Sequence, residues 1–130
     1  MTGTVQSICR EDRRYDPEAY LFVREALTYT VKRLEKMPHG NRRHVSGQEL
    51  SAGFRDYALE QFGPITFDVL HAWGIHRTED IGTIVFHLVH AGELGKTQED
   101  KPEDFTNGYD FHETFKVPFL PPSQQIGAEA

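Results

Sequence analysis

Seven histidines are the first residues to weigh for chemistry. His87 and His90 stand at i, i+3, and Glu93 follows at i+6. His71 and His76 flank the turn just before them. Three or four such groups could form an open site for a divalent metal, because imidazole and carboxylate are both ligands for such ions. No HExxH pattern is present, however, and His87 and His90 lie beside apolar residues. Histidines at the edge of a core are the preferred reading. No cofactor or metal is expected, and His87, His90 and Glu93 stand as the metal candidates.

Other reactive pairs are weaker. His44 and Ser46 beside Glu49 have the residue types of a nucleophile and a base, but Ser46 and Glu49 already fit a helix capping box, and no oxyanion loop or third partner is visible. No catalytic residue is assigned. Cys9 sits near Arg10, Arg13 and Arg14, which would favour its thiolate if the group were exposed. Lys32, Arg33, Lys36, Arg42 and Arg43, with His39 and His44, form a basic segment opposed only by Glu35. It could contact RNA or another polyanion, with Arg13 and Arg14 adding charge. The simpler reading is a solvated helix end, where cations meet the negative end of the helix dipole. Gly40, Gly47 and Gly53 fit no phosphate-loop spacing.

The elements that must position these groups are mostly helical. A chain of 130 residues, 38 % hydrophobic and 12 % aromatic, suffices for one domain with a buried core. Its single cysteine excludes an internal disulfide and a cysteine-based zinc site. With no signal-like or membrane-length apolar run, the expected location is the cytoplasm. The net charge of −6 is uneven: residues 1–63 carry ten Lys/Arg against nine Asp/Glu, and residues 64–115 carry three against ten.

A short polar helix is expected near 3–13. Asp16 and Pro17 start a helix over 17–36, with Tyr20, Val23, Leu27, Thr30, Val31 and Leu34 on one face. Ser46 and Glu49 start a second over 47–62, stopped by Gly63 and Pro64. Residues 65–73 make a third, with Phe67, Leu70 and Trp73 inward. Thr78 is expected to cap a fourth over 79–91. A hairpin over 94–115 follows, its strands at ELGKT and YDFHETF, with a tight-turn signal at Asn107–Gly108. Residues 1–116 form the expected domain and 117–130 an extended, Pro-containing mobile tail.

Helix, helix, turn, helix, strand, loop, strand is the order of a winged helix. The expected class is therefore mainly α with a small β-hairpin, against the alternative of an irregular helical bundle. Yet the helix that would enter a DNA groove opens with Glu79 and Asp80, which phosphates repel. Phe86 and Val89 on its outer side would make an apolar patch better suited to protein.

RRYDPEAYLFVREALTYT, HVSGQELSAGFRDYALEQFGP, WGIHRTEDIGTIVFHLVHAGELGKTQED and EDFTNGYDFHETF together resemble a family of short conserved bacterial proteins typical of the planctomycete and verrucomicrobial group. The resemblance covers roughly residues 9–115 and implies a cytoplasmic bacterial protein. No activity, cofactor or catalytic residue comes with it. The leading functional expectation is a non-enzymatic adaptor whose fourth helix, through Phe86 and Val89, contacts a protein, with a second copy of the chain as one candidate. A nucleic-acid-associated protein using segment 32–44 is the second reading, and a His-rich metal protein or enzyme the third. No membrane partner is expected.

Overall fold

The computed structural model describes residues 2–36, 45–92, 94 and 102–121. All regular structure among them is helical: α1 (Thr2–Glu11), α2 (Pro17–Glu35), α3 (Gly47–Phe62), α4 (Thr66–Ala72), α5 (Thr78–His90) and α6 (Phe111–Phe115), with 3-10 turns at Gly63–Ile65, Pro102–Phe105 and Val117–Phe119.

The mainly α class holds, but the hairpin and the winged-helix order built on it do not. YDFHETF, expected as a return strand, contains α6. Its alternating aromatics suggested period two, but Phe111 and Phe115 also stand at i, i+4, and in a helix both are buried together. Asp110 caps that helix by accepting from the Glu113 N–H at 2.9 Å. Two strands alone would be marginal, whereas one helical turn can press both rings into an existing core. Within the other expected strand, ELGKT, only Leu94 is described, and it is not in a strand.

α2 lies at the centre, packed against α3, α5 and α1. Asp16 accepts from the Glu18 N–H at 2.9 Å, and Pro17 opens the helix where its missing N–H costs nothing. Ala19, Tyr20, Phe22, Val23, Ala26 and Thr30 are buried along it. α3 begins with the Ser46–Glu49 capping box, each side chain taking the other residue's N–H at 3.0 Å. Where α2 and α3 cross, Gly53 leaves no room for a side chain against Thr30. Phe54 is fully buried with its ring 5.5 Å from that of Phe22. Trp73, expected fully inward, is half-buried against Phe22 and Phe62, because it follows the last turn of α4.

The turn after α4 is fixed by Gly74, whose φ of 90° a side chain would resist. A Cβ there would also meet the Arg14 carbonyl. Ile75 then folds back, its N–H donating to Leu70 O at 2.9 Å, and is buried. Thr78 is the first residue of α5 rather than its cap. Its hydroxyl points inward, donating to Phe105 O at 2.5 Å and accepting from the Gly108 N–H at 3.0 Å. The start of α5 is served instead by Asp80, which accepts from the His76 and Arg77 N–H groups at 2.8 and 3.2 Å. The buried Phe105 ring sits between Gly47 of α3 and Gly82 of α5, in a socket that a side chain on either glycine would fill.

Candidate functional site

Two polar clusters emerge from this frame. The first joins α1, α2 and α5. Helical spacing aims Tyr20 from α2 and His87 from α5 at each other, and the Tyr20 hydroxyl and His87 Nδ1 share a hydrogen bond of 2.9 Å. On its other side, His87 Nε2 lies 3.6 Å from an Asp12 oxygen. Arg14 grips the same carboxylate through Nε and Nη2 at 3.0 and 2.7 Å. That grip, a charge-assisted fork, holds the Asp12 carboxyl at about 2. Burial lowers the His87 value, against a smaller upward pull from Asp12. Beside it the Tyr15 hydroxyl donates to Asp80 at 2.5 Å. Burial raises both tyrosines well above their ordinary values.

This network looks like acid–base machinery, yet each member is engaged by another. Tyr20 is fully buried and Tyr15 nearly so. With His87 bonded to Tyr20 through Nδ1 and its Nε2 facing Asp12, the arrangement fastens α1 and the 12–16 turn to the helices beneath. Cys9, in the same region, is half-buried and donates to Tyr15 O at 3.7 Å. Burial raises its thiol, and Asp16 and Asp12 raise it further, so the exposure that would let the arginines favour a thiolate is not met. His87 and the exposed His90 both border a hollow with Ser7, Ile8, Glu11 and Asp12. Glu93, the third expected ligand, lies outside the described residues.

The second cluster was only half legible in the sequence. Phe67 and His71, one turn apart on α4, stack with ring centres 5.9 Å apart. The Gly74 turn brings His76 back over His71, with ring centres 4.4 Å apart and planes 61° apart. α6 adds His112, edge-on to Phe67 at 5.9 Å, and Asp110. His71, His76, Asp110 and His112 border one hollow of about 330 Å³. Sequence reasoning noted His71 and His76 but missed Asp110 and His112. The segment carrying them reads as a strand by alternation, and its docking on α4 is a tertiary contact. Among the described residues, no three His, Cys, Asp or Glu side chains already stand around one point as metal donors.

The other expected contact residues are placed as follows. Phe86 and Val89 do not form an open apolar patch. Both are half-buried against the core, and the Phe86 ring meets that of Phe105 edge-on at 6.4 Å. The 102–105 turn, expected as loop between two strands, is what lies over Phe86. Of the basic set, Lys32 and Lys36 are exposed near the end of α2. Arg33 is engaged by Asp56 at 2.6 Å and lies over the Tyr29 ring, so it is not a free cation. Arg42, Arg43, His39 and His44 lie outside the described residues.

Two large apolar side chains are exposed among the described residues: Ile65, at 56 %, and Phe119, at 43 %. Ile65 stands three residues before Asp68, and Phe119 three after Lys116. Lys116 and Asp68 approach to 3.7 Å, so both apolar side chains lie on segments that meet at one ion pair.

No helix among the described residues is long and apolar enough to cross a membrane. No protein-family model matches the chain, and no curated protein or solved structure matches it.

Proposed function

We propose that the chain is a non-enzymatic protein-interaction domain of the cytoplasm whose contact face lies around Ile65 and Phe119. The observation that carries this reading is the convergence of the two exposed large apolar side chains on segments joined by the Lys116–Asp68 pair. Single apolar residues on a surface are ordinary, but two on segments that meet at one ion pair are a starting point for a contact face. The single cysteine, half-buried and with a raised thiol, fits a reducing compartment. The engagement of Asp12, His87 and Tyr20 with one another fits a structural role for the groups that most resemble catalysts.

The test is a photocrosslinking side chain at position 119, used in cells, with mass spectrometry of the adducts. A discrete adduct with one protein, or with a second copy of the chain, is expected. Ile65→Asp should abolish it while leaving the melting temperature nearly unchanged, because changes at an exposed site away from special contacts stay within about 0.5 kcal/mol. A crosslinking pattern without a preferred partner, or one that Ile65→Asp leaves intact, would refute the contact face.

A further inference from the structure

We propose that the hollow between α4 and α6 binds a borderline divalent metal ion of the Zn²⁺ type, through His71 and His76 with Asp110 as the third donor. Three observations converge on it. First, the two imidazoles are already paired, with ring centres 4.4 Å apart. Two imidazoles on one tetrahedral zinc, with Zn–N of about 2.0–2.1 Å, hold their ring centres about 5 Å apart, so side-chain rotation alone opens the pair to receive an ion.

Second, no hydrogen bond among the described residues engages a ring nitrogen of either histidine. Both differ in this from His87, whose nitrogens face Tyr20 and Asp12. A histidine in ring contact with another and holding no polar partner keeps its lone pairs for solvent or for a metal.

Third, the backbone places them. The Gly74 turn and the Ile75-to-Leu70 bond return the chain so that His76 overlies His71. Asp110 borders the same hollow at the start of α6, and its cap bond to the Glu113 N–H uses only Oδ1. Its other oxygen can turn toward the ion while the cap is kept.

The donor set selects the ion. Imidazole with one carboxylate suits zinc, nickel or copper, and Mg²⁺ prefers oxygen ligands alone. Water fills the remaining position. Because no three donors yet surround one point, Asp110 has to move on binding, and the affinity falls short of a preformed structural site. Lys116 lies over the Phe67 ring at 5.5 Å and 3.7 Å from Asp68, so its charge is partly countered there.

Titration of the purified chain with ZnCl₂, followed by calorimetry and by imidazole NMR signals, tests the proposal. One equivalent should bind with micromolar affinity, moving the His71 and His76 signals first. His71→Ala and His76→Gln should each weaken binding at least tenfold. Asp110→Asn, which keeps a helix-capping acceptor, should weaken it several-fold. His90→Ala, on the opposite hollow, should leave it unchanged, and MgCl₂ should not compete. Absence of zinc binding overturns the proposal. So does binding that survives the His71→Ala/His76→Gln double variant, or binding that His90→Ala weakens as much as His76→Gln does. The site shares no residue with Ile65 and Phe119, so its failure and the failure of the interaction reading are separable.

Discussion

Replacing Gly53 with Ala should destabilise this protein, although the same change in an exposed helix would stabilise it. Gly in the interior of a helix costs about 1 kcal/mol relative to Ala. At the α2–α3 crossing, though, a Cβ on residue 53 would lie 1.8 Å from Thr30 Oγ1 and 2.9 Å from Thr30 Cβ. Thr30 is 1 % exposed, and its hydroxyl is tied to Ala26 O at 2.7 Å, so it cannot rotate out of the way without losing that bond. The helices must separate or Thr30 must leave its rotamer. Overpacking of this kind costs about 1–3 kcal/mol and exceeds the gain in propensity. A net loss of up to about 2 kcal/mol should lower the melting temperature by up to about 10 °C. The decisive assay is a double-mutant cycle by thermal and urea unfolding. In a Thr30→Ala background the worst contact is gone and only the 2.9 Å approach to Cβ remains. The penalty of Gly53→Ala should shrink there by at least about 1 kcal/mol. A Gly53→Ala variant more stable than the parent, or a cycle with no coupling, would show that the helices do not cross this closely.

Two further outcomes follow from burial and charge. Phe54→Ala, which removes a fully buried ring, should cost about 3–5 kcal/mol; Trp73→Ala should cost less, since the indole is half-buried, and urea unfolding ranks the two. The Asp12 carboxyl is held at about 2, below its ordinary 3.8, so its contribution is present above about pH 4 and lost as the pH falls toward 2. Acid unfolding of Arg14→Gln should therefore show a shallower loss across that window. The amplitude stays small, because the Arg14 side chain is 60 % exposed and water screens the pair.

The local signals in the sequence were reliable where one short stretch decides the outcome. Asp16–Pro17 and Ser46 with Glu49 start their helices through contacts within three residues. Thr78 misled because the same hydroxyl that suits a cap also suits a bond to Phe105 O, 27 residues away. Phe111 and Phe115 misled because a short aromatic run satisfies period two and period 3.6 together, and only docking on α4 decides between them. The site at His71 was half visible for the same reason. His71 and His76 are near in sequence, whereas Asp110 and His112 reach them only through the tertiary fold. Arg33 counted as a free cation until Asp56, 23 residues on, was found against it.

The socket around Phe105 has a consequence for the order of assembly. Its walls come from Gly47 on α3 and Gly82 on α5, so neither helix alone offers a place for the ring. The socket for segment 102–115 is therefore complete only where α3 and α5 have met. Thr78 latches the segment, accepting from the Gly108 N–H and donating its O–H to Phe105 O. The reverse event is local. Release of the segment needs the Phe105, Phe111 and Phe115 rings to leave the core and the Thr78–Phe105 and Tyr109–Ser51 bonds to open, while the α2–α3 crossing stays closed. Amides of 105–115 should thus exchange with solvent as a cooperative group ahead of those in α2 and α3. The opened state would bare the glycine-lined slot and the side of Phe86 that meets Phe105, an apolar surface that the closed protein hides.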